Sequence, residues 1–193
     1  MNVMIIYAHP NPRSFNAAIA AVVREEAGKK GAPVKFKDLY AMNWDPLLKG
    51  RDFEGYQSGN LPADIKTEQD DLRWADSVIM IAPIWWTGVP AILKGYIDRV
   101  FSNGFAFEYT AAGPRGLLTG KTGLLITTSG IDEETARKGT MVDTIRRSAV
   151  NSVFGYCGFA RYQYKNFFGV PRSTQEQRVG MLAELRQYIQ DFI

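Results

Sequence analysis

Three apolar segments without hydrophobic–polar alternation constrain the fold most strongly. They are Val3–Ala8, residues 77–83 and residues 123–129, and each leads into polar or turn-forming residues. Strands with this pattern are buried on both faces, as in parallel sheets covered by helices. Segments with helical spacing lie between and after them, at residues 15–30, 64–75, 90–101 and 143–155 and in a last helix with the cap signal Ser173-x-x-Glu176. Alternating strands and helices predict an α/β fold.

Two further strands complete the predicted sheet, one at residues 33–40 and one near "ARYQYKNFF". We predict a flavodoxin-like doubly wound five-stranded parallel sheet, in the order 2-1-3-4-5, with helices on both faces. It forms a single domain over residues 1–193. Residues 41–63 contain several Pro and Gly and predict a long loop, and "GFAFEYTAAGPRG" predicts an irregular segment or a short hairpin.

Charge and residue usage argue against several classes of function. The 23 basic residues face 20 acidic ones without a block of like charge, so binding to nucleic acid has little electrostatic support. A single cysteine, Cys157, excludes an internal disulfide, and a single histidine, His9, argues against a multi-ligand zinc site. No apolar segment approaches the roughly 20 residues that cross a bilayer. We predict a cytoplasmic protein without membrane insertion.

The carboxyl ends of strands 1, 3 and 4 are neighbours in this strand order, and ligands of such sheets bind there. The loops that follow these strands are "AHPNPRSFN", "APIWWTGVP" and "TTSGIDE". They carry the polar and aromatic residues that least resemble a core. The sequence therefore predicts a ligand site where these three loops converge.

The first loop has the chemistry of a phosphate site. Ser14 and Asn16 lie beside unpaired N–H groups at a helix start, and Arg13 adds a cation. The alternative is that Ser14 only caps the helix while Arg13 is solvated. His9, after the first strand, is either a hydrogen-bonded structural residue or a ligand contact. Neither GxGxxG nor GxxxxGK[ST] is present.

The second and third loops favour a flat ring. Trp85 and Trp86, on a turn framed by Gly and Pro, supply apolar walls and backbone polar groups, although adjacent tryptophans can equally plug a seam between helix and sheet. Residues 127–130 offer small hydroxyls, as any strand-to-loop transition does. Cys157 is interpreted as a buried, inert thiol. The pairs at 70–71 and 133–134 are interpreted as solvated charge.

At these residues the chain resembles the flavin-dependent NAD(P)H:quinone oxidoreductases, a family that includes ancillary subunits of potassium-efflux transporters. The matching segments follow the family order almost end to end: "AHPNPRSFN", "DLYAMNWDP", "ADIKTEQDDLRWAD", "WWTGVPAILKGYIDRVF", "GFAFEY", "LLITTSG" and "YCGF". The resemblance implies a flavodoxin-like homodimer that carries a flavin, FAD or FMN. It also implies ping-pong transfer of hydride from NAD(P)H to the flavin and then to a quinone.

The resemblance assigns roles to particular residues. Those matching the flavin's ribityl and phosphate contacts are His9, Ser14, Phe15 and Asn16, beside Arg13. Those matching the walls and polar edge of the ring are Pro83, Ile84, Trp85, Trp86, Thr87, Thr127, Thr128, Ser129 and Gly130. Those matching the substrate pocket, closed from a second subunit, are Phe107, Tyr109 and Tyr156.

Three features depart from the family pattern. Thr87 stands where the mammalian enzymes have an aromatic residue, so one wall of the ring site is smaller. The stretch "IDEETARKGTMVD" lacks the Tyr and His that assist hydride transfer in those enzymes. The chain ends at Ile193 without their C-terminal extension, which keeps FMN open beside FAD.

The sequence thus predicts an NAD(P)H-dependent flavin oxidoreductase acting on quinones. A regulatory flavin-binding subunit docked on a potassium-efflux transporter is the alternative. A one-electron flavodoxin carrier is disfavoured by the mildly basic charge balance and by the aromatic pocket.

Overall fold

The computed structural model describes all residues from 1 to 193. The strands of its main sheet are β1 (Val3–Tyr7), β2 (Val34–Asp38), β3 (Ser77–Pro83), β6 (Thr122–Thr128) and β7 (Arg161–Phe167), and a hairpin is formed by β4 (Phe107–Thr110) and β5 (Gly113–Gly116). The helices are α1 (Phe15–Lys29), α2 (Gly50–Ser58), α3 (Ala63–Trp74), α4 (Ala91–Val100), α5 (Glu133–Lys138), α6 (Met141–Ile145), a π-helix (Arg146–Gly155), a 3₁₀ turn (Val170–Arg172) and α7 (Gln175–Phe192).

The main sheet is parallel throughout and has the order β2-β1-β3-β6-β7. This order confirms the predicted arrangement, because β6 and β7 are the fourth and fifth strands of that sheet. The predicted hairpin is also present, as β4 and β5. No helix is both long and apolar enough to span a membrane.

Alternate residues of the central strands enter two different cores. On β1, Met4 and Ile6 belong to a cluster of 25 buried residues, whereas Val3 and Ile5 belong to one of 17. Residues of α3, α4 and the π-helix complete the first cluster, and residues of α1 and α7 complete the second. Both faces of the sheet are therefore covered, which explains why these strands show no polar alternation.

A buried carboxylate joins the two helices on one face. Glu26 of α1 is 1% exposed and accepts hydrogen bonds from Lys29, Arg186 and Gln190, each at 2.8 Å. Arg186 and Gln190 lie on α7. The hydrogen bond from Lys29, followed by that from Gln190, lowers the pKa of Glu26 from 4.5 to about 2.

We expect this depressed pKa to make stability depend on pH. A carboxylate whose folded pKa lies below its unfolded value stabilises the fold above the unfolded pKa, and this contribution is lost as pH falls. The melting temperature should therefore decrease between pH of about 4.5 and 2. Glu26→Gln should flatten that part of the profile, whereas Glu176→Gln, at an exposed glutamate, should not. An unchanged slope in Glu26→Gln would contradict the prediction.

Two local predictions are wrong, the long loop over 41–63 and the position of the last cap, and the helix over 143–155 is confirmed in position but not in type. Residues 41–63 are not one long loop, because α2 forms within them and ends at Gly59 with φ of +77°. The helix predicted over 143–155 is α6 followed by a π-helix, and α5 precedes it. The last helix is capped one residue later than predicted, since Thr174 and Gln177 form the capping box.

The interpretation of acidic pairs as solvated charge holds for only some of them. Glu133 and Glu134 are exposed and pair with basic residues one turn later. Asp71 is instead half-buried and receives an ion pair of 2.5 Å from Lys37 on β2. Lys37 also contacts the buried Glu68 at 2.8 Å. These contacts fasten α3 to the edge strand.

Candidate functional site

The loops after β1, β3 and β6 converge on a cleft with a volume of about 290 Å³. The residues predicted from the sequence that line this cleft are His9, Ser14, Phe15, Asn16, Pro83, Ile84, Trp85, Thr128, Ser129 and Gly130. Val170 and Pro171 of the 3₁₀ turn complete its wall. The cleft therefore lies at the carboxyl edge of the sheet, at the predicted switch in strand order.

The amino end of α1 presents free donors to the cleft. Ser14 is the N-cap, with an extended backbone, and its hydroxyl accepts the N–H of Ala17 at 3.2 Å. The N–H groups of Phe15 and Asn16, at the first two helical positions, donate to no backbone acceptor. Together with the positive end of the helix dipole, these donors suit a phosphate group.

Asn16 leaves one buried polar atom without a partner. The residue is 3% exposed, and its Nδ2 donates to the Thr128 hydroxyl at 2.8 Å. Its Oδ1 is buried and accepts no hydrogen bond. A buried acceptor without a donor is costly, so this atom fits a ligand that carries hydroxyl or N–H groups. The cleft thus suits the ribityl chain and phosphate of a flavin.

His9 is a neutral member of the cleft wall. Its Nδ1 accepts the N–H of Asn11 at 3.0 Å, and partial burial lowers the pKa of the imidazole. Because Nδ1 is an acceptor, the neutral ring carries its proton on Nε2. The ring centroid lies 6.2 Å from that of Trp85. His9 can therefore donate one hydrogen bond to a ligand.

A strained turn displays the two tryptophans. Trp85 and Gly88 exchange two backbone hydrogen bonds of 3.0 Å, and the residues between them, Trp86 and Thr87, have φ of +52° and +56°. This geometry suits Asn-Gly, whereas indole and β-branched side chains are strained there. Trp86 is fully exposed and Trp85 is 43% exposed. Strain of this kind clusters at ligand sites.

We expect relief of this strain to stabilise the chain. The double variant Trp86→Asn, Thr87→Gly should raise the free energy of unfolding by about 1 kcal/mol, because Trp86 buries no surface that would be lost. Urea titration measures the change. Thr67→Gly on α3 is the matched control, and it should instead lower stability by about 0.3 kcal/mol, because Gly has a lower helix propensity than Thr. A turn variant less stable than the parent would show that the turn is not strained.

Four of the predicted ring and phosphate contacts lie outside the cleft lining: Arg13, Trp86, Thr87 and Thr127. Arg13 and the two turn residues are on the surface around it. Thr127 is fully buried. It lies on the opposite face of the sheet from Thr128, which lines the cleft, because adjacent residues of a strand point to opposite sides of a sheet. Its hydroxyl bonds to Tyr164 and Asn166 on β7.

The three residues of the predicted substrate pocket form a separate aromatic cluster. The ring of Phe107 lies 5.6 Å from Tyr109 and 5.0 Å from Tyr156. They line a second, mainly apolar cavity of about 540 Å³, which shares no residue with the cleft. Cys157 also lines that cavity, and burial raises its pKa to about 12, as expected of an inert thiol.

Sequence reasoning missed the contribution of the segment after β7. Val170 and Pro171 are apolar and gave no chemical signal, although strand order places the end of β7 beside that of β6. Asn166 was also missed, and its Nδ2 donates to Ser129 in the cleft at 3.0 Å. The prediction of "ARYQYKNFF" as a strand contained the available clue, since an Asn near the carboxyl end of the strand beside β6 can hydrogen-bond to the loop after β6.

Comparison with known proteins identifies the family. A family model described as "Flavodoxin-like fold" matches residues 1–189. Human ribosyldihydronicotinamide dehydrogenase [quinone] is 35% identical, over 97% of this chain and 90% of its own length. The chain belongs to the flavodoxin-like NAD(P)H:quinone oxidoreductase family.

Other members of the family align with equal completeness. An NAD(P)H oxidoreductase of Haemophilus influenzae is 35% identical, over 94% of this chain and 91% of its own. The structure of an NAD(P)H:quinone oxidoreductase from Methanothermobacter marburgensis superposes with a TM-score of 0.88 and 25% identity, covering 99% of this chain and 96% of that one. The predicted family is confirmed, and the protein is an oxidoreductase.

Proposed function

We propose that this member of the family is a flavoprotein that reduces quinones with NAD(P)H by a ping-pong mechanism. The names of the human and archaeal relatives support the reaction class. The observation on this chain that carries the proposal is the unpartnered Oδ1 of Asn16, in a cleft built from three strand ends. When bound there, a flavin supplies the hydride chemistry, and the protein binds and orients it.

The amino end of α1 would hold the phosphate and ribityl part. Ser14, Phe15 and Asn16 supply a hydroxyl, two N–H groups and an amide oxygen, and neutral His9 supplies one donor. Arg13 is exposed outside the lining and would contribute positive charge at the entrance. Because the donors are fixed by the helix, they cost little ordering entropy on binding.

The other two loops would hold the ring. Pro83, Ile84 and Trp85 would form one wall, with Trp86 and Thr87 at its outer border. Thr128, Ser129 and Gly130 would contact the polar edge of the ring. Thr127 would act behind the cleft through its hydrogen bonds to β7. Apolar walls with a few placed polar groups are typical of cofactor sites.

We propose FAD as the bound form of the flavin. A further cavity of about 430 Å³ shares Gly130 with the cleft and includes Arg172, Ser173 and Gln177 among its lining residues. This space would take the adenosine half, which FMN lacks. The mass of the cofactor released from the purified protein distinguishes the two forms.

We propose a homodimer whose partner closes the substrate slot. Within one chain, Phe107, Tyr109 and Tyr156 lie away from the cleft, so they can reach a flavin only from a second copy. Leu48 and Phe53 are exposed beside them, at 40% and 52%. NAD(P)H and quinone would bind in this slot in turn. Sedimentation velocity should show a dimer, and Tyr109→Arg should weaken it.

Anaerobic reduction tests the proposed function. The purified protein should be yellow, lose its colour with NADH or NADPH, and regain it with menadione. A flavin-loaded sample that stays oxidised under excess of both nucleotides would refute the enzyme. Transfer of two electrons, without an intermediate one-electron stage, distinguishes the enzyme from a flavodoxin-type carrier. The regulatory transporter subunit gains no support from the fold, the cleft or the relatives above, and the cytoplasmic location stays a prediction.

A further inference from the structure

Four polar side chains form a hydrogen-bonded chain behind the cleft. It starts at Ser129 on the cleft wall and continues through Asn166 and Thr127 to Tyr164. The distances are 3.0 Å from Asn166 Nδ2 to Ser129 Oγ, 2.7 Å from Thr127 Oγ1 to Asn166 Oδ1 and 3.0 Å from Thr127 Oγ1 to the Tyr164 hydroxyl. Thr127 is fully buried and Ser129 is 5% exposed, whereas Asn166 and Tyr164 are half-buried.

Counting protons gives this chain a direction. The Thr127 hydroxyl has one proton, and it goes to Asn166 Oδ1, which can only accept. The Tyr164 hydroxyl must then donate to Thr127. At the other end Asn166 Nδ2 donates to Ser129, whose own proton is left over. Inside the protein that proton can reach only the Ile131 carbonyl, at 3.5 Å, which is too long for a strong hydrogen bond.

We propose that the Ser129 hydroxyl donates a hydrogen bond to the bound flavin, at the edge where negative charge develops on reduction. Asn166 is the positioning residue, because its own hydrogen bond to Ser129 leaves the Ser129 proton free to point towards the flavin. The inference rests on the proposed function and adds to it a means of setting the reduction potential. A hydrogen bond to a charged acceptor is roughly twice as strong as one to a neutral acceptor. Ser129 therefore holds the reduced flavin more tightly than the oxidised form.

Tyr164 is the end of the hydrogen-bonded chain that lies farthest from the cleft. Tyr164 and Arg146 line the same two surface cavities. Burial raises the pKa of Tyr164, so the phenol stays protonated and is available as a donor. The hydrogen bond with Thr127 and, after it, the positive charge of Arg146 oppose that rise. Tyr164 thus supports the direction of the chain, while Ser129 is the group that meets the ligand.

The test is the midpoint potential of the bound flavin, measured with reference dyes, together with the affinity of the apoprotein for oxidised FAD. Ser129→Ala removes the donor and should reduce the preference for reduced over oxidised flavin about tenfold, which lowers the potential by about 30 mV. Asn166→Asp offers only acceptors, so it takes the proton of Ser129 and should lower the potential at least as much.

The double variant separates orientation from charge. In the Ser129→Ala background Asn166→Asp can act only through its charge, so it should lower the potential less than it does in the parent. Ser148→Ala and Asn60→Asp are the matched controls, at exposed positions outside the cleft, and should keep the parent potential. Far-UV circular dichroism checks that each variant is folded. If one single variant is unfolded, the midpoint potential of the other still tests the inference.

Three results overturn the inference. The first is a parent-like potential in Ser129→Ala, and the second is an effect of Asn166→Asp that is equal in both backgrounds. The third is a parent protein that binds no flavin, which refutes the proposed function as well. A flavin-loaded parent with unchanged variants refutes the inference alone.

Discussion

Replacing Arg99 with Met should lower the free energy of unfolding by about 3–5 kcal/mol. Arg99 and Asp52 are both fully buried, and Arg99 Nε donates to Asp52 Oδ2 at 2.9 Å. Arg99 Nη1 also donates to Asp64 at 2.7 Å and to the Asp45 carbonyl at 3.0 Å. Met fills much of the same volume but leaves the Asp52 carboxylate in the interior without its partner, which is the source of the cost.

The expected loss extends beyond one ion pair because Arg99 joins three segments. Asp52 lies on α2 and Asp64 at the start of α3, while Arg99 is on α4. Burial raises the pKa of Asp52, but the hydrogen bonds from Arg99 and the Lys49 N–H more than offset this, so its pKa falls below the ordinary value. The carboxylate therefore stays ionised and needs the cation.

Chemical denaturation of the purified protein measures this effect. Lys66→Met is the matched control, since Lys66 pairs with Asp70 at 2.6 Å while both are about half exposed, and such pairs contribute about 0–1 kcal/mol. Adding Asp52→Leu to Arg99→Met should recover part of the loss, because no buried charge is then left unpaired. Equal losses in Arg99→Met and Lys66→Met would show that the buried pair has no special role.

The same contacts explain why α2 could not be predicted from its local sequence. It begins at Gly50, contains Gly55 and is followed by Gly59, and glycines lower helix propensity. What holds the helix is Asp52, whose partner Arg99 lies 47 residues away along the chain. Pairing of this kind follows from the folded topology rather than from periodicity.

The sheet was predictable because burial on both faces leaves a local signature. Uninterrupted apolar runs at β1, β3 and β6 are incompatible with a solvated face, and the polar residues after them mark the carboxyl edge. The sequence therefore indicates the edge of the sheet at which the cleft lies.

Side-chain direction was the part of the site that sequence reasoning treated too coarsely. Thr127 and Thr128 were predicted together, yet neighbouring residues of a strand face opposite sides. Thr128 accepts from Asn16 at the cleft, whereas Thr127 bonds to β7. Because side chains alternate between the two faces of a strand, only one of the two threonines at the end of β6 can face the cleft. The segment after β7 could not be recognised in that way, because Val170 and Pro171 contribute shape alone.

Ser14→Asp should leave the fold intact and reduce affinity for flavin at least about a hundredfold. Asp is as good an N-cap as Ser, so the bond now made to the Ala17 N–H is retained and α1 keeps its start. The carboxylate would, however, occupy the place proposed for a phosphate. Two like charges about 4 Å apart repel by about 4 kcal/mol at the effective dielectric of a protein surface, which exceeds the 2.7 kcal/mol of a hundredfold change.

Titration of the apoprotein with FAD, monitored by the quenching of flavin fluorescence, measures the affinity. The melting temperature of the same apoprotein shows whether the cap of α1 is retained. Thr67→Asp, on an exposed position of α3, is the control that adds the same charge outside the cleft, and its affinity should match the parent. If Ser14→Asp bound FAD as tightly as the parent, the amino end of α1 could not be the phosphate site. Lost affinity with a lower melting temperature would instead assign Ser14 the purely capping role that the sequence also allowed.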